Sequence, residues 1–192
     1  MSQAAIKQEQ TSNIVNGIDV AALGQAVAAI VADPSQGQVT FRANTSWEGG
    51  ARSRSRIRSF DVAGQELPRR HDVCADEPTE MLGSNTAPNP QELLLSALAA
   101  CMTVGYVAGA TSQGIVLESL DIQTECSLDL RGVFGLDPQI PAGARKINYT
   151  VRVRGNGTRE QFEQIHRDVM ATSPNYYHLA NPIALESVLV ID

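Results

Sequence analysis

A single thiol lies within the longest uncharged stretch of the chain. Cys101 stands inside residues 93–110, LLLSALAACMTVGYVAGA, which carry no acidic or basic side chain. Asn89 can cap a helix that starts there, and Pro90 suits a first helical position, where no N–H is needed. The pattern predicts a helix from Asn89 to about Gly114 that is apolar nearly all round and therefore buried. Its thiol is either inert packing or a nucleophile held in a dry site.

A row of arginines supplies the cation that a reactive thiol needs. The row alternates with serine and isoleucine along a predicted strand and consists of Arg52, Arg54, Arg56 and Arg58. Side chains two residues apart on a strand share a face, so all four should point the same way. The row is either a solvated strand face, or one of its arginines turns inward to hold an anion or a thiolate.

The other two cysteines give weaker signals. Cys126 falls on the apolar face of a predicted strand, which indicates a buried small hydrophobe. Cys74 lies in an acidic stretch, HDVCADEP, where negative charge disfavours a thiolate, so we expect an incidental loop cysteine. His71 and Cys74 would offer a metal only two ligands, so we predict no metal site and no cofactor. His166 is expected at the surface or at a boundary rather than as a catalytic base.

The composition narrows the partners and the compartment. The chain has 192 residues, a net charge of −6 and 43% hydrophobic residues, which suits one domain with a core of its own. An acidic chain lacks the basic surface that nucleic acid requires, so no nucleic acid is expected. Three cysteines, an odd number, fit a reducing compartment, and the N-terminus lacks the basic start and apolar core of a secretion signal. We therefore expect a cytoplasmic protein.

The uncharged stretch is long enough to raise the question of a membrane span. Alanine, glycine, serine and threonine dilute its hydropathy, and aromatic and basic anchors are missing at its ends. A buried helix of a soluble protein explains the stretch better, so no membrane partner is predicted.

The rest of the sequence predicts an α+β fold with a mostly antiparallel sheet. Residues 1–12 are polar and predicted to be disordered. Residues 1–37 are predicted to form an N-terminal extension with a helix over 18–32, and residues 38–192 the main domain. Within the main domain, residues 61–88 are expected to be loop. The domain's predicted elements, in the order ββ–α–ββ–α–β, are two strands between Val39 and Phe60 around Gly49-Gly50, the Cys101 helix, strands over Leu120–Leu130 and Ile147–Val153, a helix from Thr158 to Ser173, and a last strand over Ile183–Ile191.

The motifs around the Cys101 helix resemble those of one known family. Three features are similar to the OsmC/organic hydroperoxide reductase superfamily: Asn89-Pro90-x-x-Leu93 followed by Ala-Ala-Cys101, the Ser173-Pro174 end of the later helix, and the order of elements. The resemblance runs from about Thr40 to Asp192. It implies mostly antiparallel sheets wrapped around two long central helices in an intertwined homodimer, with sites at the subunit boundary.

The resemblance also implies roles for individual residues. Cys101 matches the thiol that attacks a hydroperoxide and becomes a sulfenic acid. Arg52 matches the early-strand arginine that stabilises the thiolate, with Arg54 as the alternative. Gln91 stands where the family has a glutamate that holds this arginine. Ser173 stands where active members have a second cysteine, which forms a disulfide with the first.

These departures at Gln91 and Ser173 leave two functions open. The first is reduction of organic hydroperoxides through Cys101, Arg52 and Gln91, in a one-cysteine cycle whose sulfenic acid is reduced by an external thiol. In that cycle Cys74 could replace the missing thiol only if its loop reached the site. The second is a non-catalytic homodimer that binds a small apolar or acyl ligand. The expected partners are therefore a second copy, a hydroperoxide or apolar ligand, and the external thiol.

Overall fold

The computed structural model describes residues 13–191, so the disorder predicted for residues 1–12 lies outside the described residues. Every strand pair within this part of the chain is antiparallel, and the protein has the predicted mixed α+β character. The elements, in chain order, are strands β1 Ile14–Val15 and β2 Ile18–Asp19, helix α1 Val20–Ala32, strands β3 Val39–Phe41, β4 Asn44–Trp47, β5 Ser53–Val62 and β6 Gln65–Ala75, helix α2 Pro90–Ser112, strand β7 Leu117–Cys126, helix α3 Leu130–Val133, strand β8 Ile147–Gly155, and helices α4 Arg159–Thr172 and α5 Pro174–Ala180.

Helix α2 carries Cys101 and confirms the predicted helix, but not the burial predicted all round it. In the single chain one face is buried, while Val104 on the helix is 69% exposed. The Asn89 side chain accepts a hydrogen bond from the Glu92 N–H at 2.8 Å, and the Glu92 carboxylate accepts one from the Asn89 N–H at 2.8 Å. This capping box satisfies two backbone donors that the first turn would leave free. Gly114, at φ +69°, follows the helix in the left-handed conformation that glycine adopts without strain.

Of the described helices, α2 alone is long and apolar enough to cross a membrane. This is weak evidence, because the core helix of a soluble protein passes the same test. Four of its side chains, Leu98, Met102, Tyr106 and Ala110, belong to the buried core of the chain. The helix is therefore part of the core along one face.

Strand β5 is the centre of the first sheet, which consists of β3, β4, β5 and β6. β6 pairs along one edge of β5, while β3 and β4 pair with opposite ends of its other edge. The prediction of loop over residues 61–88 is wrong for β6. Ala63 and Gly64, at φ +50° and +74°, make a tight hairpin turn, and a register shift beside Pro68 absorbs the proline that argued against a strand.

Strands β7 and β8 form the second sheet, one face of which packs on the core. Leu120 and Ile122 lie on that face and alternate with exposed polar residues, as predicted. The strand ends at Cys126 instead of at Leu130, because Asp129 caps α3 by accepting the Arg131 N–H at 2.9 Å. The buried hydrophobic side chains of the core are Leu98, Met102, Tyr106, Ala110, Ile115, Ile165 and Val169.

Helix α4 packs on α2 at close range. The capping box predicted at Thr158 begins α4. A Cβ atom placed on Gly105 would stand 3.0 Å from Val169 Cγ2, and one on Gly109 would stand 3.2 Å from Ile165 Cγ2. Glycine at these two positions is what lets the helices approach so closely.

The N-terminal helix is tied to the far end of α2. Asn16, between β1 and β2, donates a hydrogen bond to the Ile115 carbonyl at 2.8 Å and accepts one from the Leu117 N–H at 2.8 Å. Helix α1, capped by Asp19, confirms the predicted helix and buries none of its side chains within the single chain. A cleft of about 530 Å³ lies between α1 and the α2–α4 pair.

Residues 182–191 follow α5 and lie outside any helix or sheet. The prediction of a strand over Ile183–Ile191 is wrong for the single chain, because no strand edge in the described part lies beside the segment to take its backbone hydrogen bonds. Leu185 and Val188 are each 90% exposed.

Within residues 13–191 the first sheet also makes no extensive contact with α2, α4 or the second sheet. Much apolar surface is therefore open to a partner.

Candidate functional site

The Cys101 thiol meets a hydroxyl from the junction of two helices. Ser173 lies between α4 and α5, is only 5% exposed, and donates a hydrogen bond from its Oγ to the Cys101 Sγ at 3.3 Å. The same Oγ accepts the Tyr176 N–H at 3.4 Å and so caps α5. Cys101 itself is half-buried. The structure thus brings together the two residues that the sequence analysis aligned with the two thiols of active relatives.

This pairing has a definite chemistry. A hydroxyl that donates to sulfur stabilises the thiolate, which is the nucleophilic form of cysteine. Serine cannot form a disulfide, so an oxidised Cys101 has no resolving group at this contact. The site can therefore support attack by sulfur, but its return to the thiol needs a reductant from elsewhere.

Gln91 lines a cavity that reaches along α2 as far as Leu98, one helical turn before Cys101. The cavity has a volume of about 500 Å³ and lies between the first half of α2, the start of β8 and helix α5. Its walls are mostly apolar, with Arg145 and Lys146 as the cations among them. The residues that line it on α2 and α5 are Gln91, Leu94, Leu98, Tyr176, Leu179 and Ala180. Cys101 does not line this cavity, although Leu98 precedes it by one turn.

The last three arginines of the row lie on β5 of the first sheet, and Arg52 directly precedes that strand. The row contacts acidic residues nearby. Arg54 Nε donates to Glu48 Oε1 at 2.6 Å, and Arg52 donates to the Glu48 carbonyl at 3.2 Å. Arg54 and Arg58 both approach Asp72, at 3.8 and 2.7 Å. Because Arg54 and Arg58 reach the same carboxylate, their side chains lie on one face of the strand, as predicted.

Electrostatics within the row follow from these contacts. The Arg54 hydrogen bond holds the pKa of Glu48 below its usual range, and the Glu48 carboxylate raises the pKa of Arg54. None of the hydrogen bonds or ion pairs in the described part of the chain joins the row to Cys101. An approach of Arg52 or Gln91 to the thiol therefore stays a prediction, one that concerns a second copy of the chain.

A buried carboxylate fixes the loop that leads from β6 to α2. Asp76 is fully buried and accepts hydrogen bonds from the Thr86 N–H at 3.0 Å, the Thr86 hydroxyl at 2.8 Å, the Ser84 N–H at 3.2 Å and the Glu77 N–H at 2.9 Å. These donors, led by the Thr86 N–H, lower the pKa of Asp76 to about 2. In the sequence this acid stands out only as a neighbour of Cys74. Its place inside the predicted loop, where an aspartate can accept backbone N–H groups, is the signal that could have revealed it.

A second polar cluster lies further along α2. The buried Tyr106 hydroxyl is hydrogen-bonded to Nδ1 of His166 on α4. Burial, followed by the nearby Tyr149, raises the pKa of Tyr106 to about 12. His166 is therefore a partner of a core tyrosine, which agrees with the expected boundary position. Residues 13–191 contain no group of three or more His, Cys, Asp or Glu side chains that could hold a metal ion.

Comparison with known proteins gives a family for this arrangement. The family model described as OsmC-like protein matches residues 83–188, which is more than half of the chain and includes Cys101 and Ser173. No curated protein sequence matches the chain. The match to the family model thus covers helix α2, the second sheet and the junction of α4 and α5 at Ser173.

Solved structures with a similar fold support this match. An OsmC-like protein from Mycoplasma pneumoniae has 15% identity and a TM-score of 0.58, over 73% of this chain and 87% of its own. A protein from Psychrobacter arcticus 273-4, provisionally named for osmotic stress induction and detoxification response, has 15% identity and a TM-score of 0.54, over 70% and 84%. An OsmC-like protein of unknown function from Vibrio cholerae has 14% identity and a TM-score of 0.52, over 71% and 90%. At such identities the likeness shows the fold alone.

Proposed function

The chain belongs to the OsmC-like family, and from this premise we propose that it is a thiol-dependent peroxidase that reduces organic hydroperoxides through Cys101. The Cys101 thiolate attacks the terminal oxygen of the hydroperoxide, the S–O bond forms and the O–O bond breaks. The alkoxide takes a proton and leaves as an alcohol, while Cys101 becomes a sulfenic acid. An external thiol then forms a mixed disulfide with release of water, and a second thiol restores Cys101.

The observation that carries this proposal is the hydrogen bond from Ser173 to Cys101 Sγ at 3.3 Å. It supplies a donor to the sulfur of a half-buried cysteine, which is what a reactive thiolate needs and inert packing does not. It also accounts for the one-cysteine cycle, since the residue in contact with the sulfur cannot be oxidised to a disulfide.

The proposed enzyme is an intertwined homodimer whose two long central helices are the α2 of each copy. Arg52 of one copy, or Arg54 in its place, stabilises the thiolate of the other, and the Gln91 amide oxygen holds that guanidinium. The open apolar surface supports this assembly, because Phe41 and Trp47 of the first sheet are 78% and 77% exposed in the single chain. Residues 38–192 carry the parts of this dimer, and residues 1–37 are an extension of it. Three free thiols support a reducing, cytoplasmic location.

Rapid mixing with cumene hydroperoxide tests the reaction. The wild-type protein should consume the peroxide and lose one thiol to oxidation, whereas C101S should do neither. C126S is the matched control and should react like the wild type, because Cys126 lies on β7 and takes no part in the hydrogen bond between Ser173 and Cys101. Equal rates for C101S and the wild type would end the proposal.

The role of the arginine is tested by a pair of variants from the same row. R52A should slow peroxide consumption, whereas R58A should not, because Arg58 is held by Asp72 at 2.7 Å. Size-exclusion chromatography of both variants shows whether the dimer has formed. Loss of rate with R52A in an intact dimer supports a direct role for its guanidinium.

A second candidate function is binding of a small acyl ligand without turnover. The mostly apolar cavity of about 500 Å³ beside Gln91, with Arg145 and Lys146 among its lining residues, favours it because such a site suits an apolar chain with a carboxylate. Decanoate should then raise the melting temperature, and the double variant R145A/K146A should lose most of that increase. Fast peroxide turnover together with no response to decanoate would exclude this alternative.

A further inference from the structure

Cys74 has two arginines and a carboxylate, Glu48, as neighbours in a cavity that the sequence did not reveal. It lies on β6 directly opposite Arg54 of β5, so the two side chains stand on the same face of the sheet. Together with Arg52 they line a cavity of about 440 Å³. The thiol is half-buried in this position and is part of a strand, not of a free loop.

The acids around Cys74 are already engaged by other groups. Asp72 is bound by arginines of the row, and Asp76 is turned into the following loop, where backbone N–H groups hold it. Glu48, which also lines the cavity, accepts a hydrogen bond from Arg54 Nε at 2.6 Å. The register of the two strands places the Arg54 side chain next to the sulfur on the same face of the sheet. A cation beside a thiol favours the nucleophilic thiolate.

We propose that Cys74 of a second copy captures the sulfenic acid of Cys101 when external thiol is scarce, and links the two copies by a disulfide. This step rests on the proposed function, in which Arg52 of one copy reaches the Cys101 thiolate of the other. Cys74 shares its cavity with that arginine and its sheet face with Arg54. An arrangement that brings Arg52 to the reacting sulfur therefore brings Cys74 near it as well.

The step balances without a further oxidant. The Cys74 sulfur attacks the Cys101 sulfur, the S–S bond forms and the S–O bond breaks. The hydroxyl group leaves with the thiol proton as water, and the oxidising equivalents come from the hydroperoxide already reduced. External thiol later returns the disulfide to two thiols. Until then Cys101 is protected from further oxidation to a sulfinic acid.

The two other residues that could meet the Cys101 sulfenic acid, Ser173 and Cys126, would not give a link between two copies. Ser173 carries no thiol and gives no covalent link. Cys126 lines the cavity beside Gln91 and Leu98 of its own chain, so it would give a disulfide within one chain. A disulfide between copies that contains Cys74 is therefore specific to the proposal.

The experiment oxidises the full-length protein with an equimolar amount of cumene hydroperoxide in the absence of thiol. After alkylation of the remaining thiols, non-reducing electrophoresis should show a covalent dimer that dithiothreitol converts to monomer. Mass spectrometry of the dimer band should find the peptide pair that contains Cys74 and Cys101. The dimer should be lost in C74S, C74A and C101S and retained in C126S, with native melting curves in every variant.

Trapping of sulfenic acid with dimedone separates this proposal from the proposed function. In C74S, Cys101 should take up more dimedone than in the wild type, because its sulfenic acid is no longer captured. If wild-type Cys101 takes up dimedone but no covalent dimer forms, the capture by Cys74 is wrong and the peroxidase proposal stands. A monomeric disulfide between Cys101 and Cys126 would also overturn it. If Cys101 is not oxidised at all, both proposals fall.

Discussion

Ser173 donates its hydroxyl proton to the Cys101 sulfur at 3.3 Å while the same oxygen accepts the Tyr176 N–H. The second bond caps α5, so the position of the oxygen is set by where α4 ends and α5 begins. The junction of two helices thus decides which group the thiol on α2 meets. A hydroxyl there can stabilise a thiolate but cannot resolve its oxidation product. In the proposed cycle, Ser173 therefore governs both the reactivity of Cys101 and its route back to the thiol.

Removal of the hydroxyl should slow the reaction of Cys101 with a hydroperoxide. A hydrogen bond to a charged group is worth about 1.5–3 kcal/mol. S173A should therefore lower the rate constant by about tenfold or more, since about 1.4 kcal/mol corresponds to a factor of ten. It should also cost about 0.5–2 kcal/mol in the free energy of unfolding, because α5 loses its cap. Stopped-flow kinetics and urea unfolding measure the two effects.

The control for S173A is S173T, which keeps a hydroxyl and most of the capping ability. It should retain a larger part of the rate than S173A at the same pH. Equal rates for S173A and the wild type would show that the hydroxyl does not act on the sulfur. In that case the cap alone would explain why serine stands at this position.

Replacing the hydroxyl with a second thiol should change the reductant requirement. The two side chains already touch, and a disulfide needs Cβ atoms only about 3.5–4.5 Å apart. Oxidation of S173C by one equivalent of hydroperoxide should therefore give a disulfide with Cys101 within one chain, seen as a monomer on a non-reducing gel. Peptide mapping identifies the pair. The same variant should form less of the Cys74-linked dimer, and a persistent sulfenic acid at Cys101 would contradict the expected geometry.

The buried carboxylate of Asp76 should make stability depend on pH in the acid range. Its pKa is lowered from the ordinary 3.8 to about 2 in the folded chain, chiefly by the Thr86 N–H. A lowered folded pKa stabilises the protein above the unfolded pKa, and this stabilisation is lost as the pH falls from about 4 through about 2. D76N should therefore be less stable than the wild type at pH 7, and the difference should shrink towards pH 2.

Thermal melting between pH 2 and pH 7 measures this dependence. The control is D121N, because Asp121 is 71% exposed and lies 3.7 Å from Arg152 on the second sheet. That variant should keep the wild-type pH profile, since an exposed ion pair contributes little. An unchanged profile in D76N would show that the loop before α2 does not depend on the carboxylate.

The sequence predicted the parts of the fold that local chemistry determines. Asn89 and Thr158 begin the two main helices through capping boxes, and the alternation along β7 and β8 fixed the face that packs on the core. These features depend on residues a few positions apart or on a pattern along a single element. Ser173 was matched to the partner position of Cys101 only through the family resemblance, because no local pattern links two residues that lie 72 positions apart.

What the sequence missed depends on contacts between distant residues. β6 is a strand because β5 lies beside it, and its proline is absorbed by a register shift that no local pattern indicates. Residues 183–191 have the composition of a strand but lack a neighbouring edge in the single chain. The environment of Cys74 was misjudged because acids near it in sequence are bound to other groups, while Arg54, twenty residues earlier, stands opposite it.

The close packing of α2 on α4 should make an added methyl group unfavourable at Gly105. A Cβ there would stand 3.0 Å from Val169 Cγ2 and 3.4 Å from its Cγ1, and a β-branched side chain has few rotamers with which to give way. Overpacking costs about 1–3 kcal/mol, against a helix-propensity gain from alanine of up to about 1 kcal/mol. G105A should therefore lower the free energy of unfolding in urea. G24A is the matched control, because nothing lies within 4 Å of a Cβ at that position on α1, so alanine should leave stability equal or higher. A G105A protein as stable as G24A would show that α4 can shift away from α2.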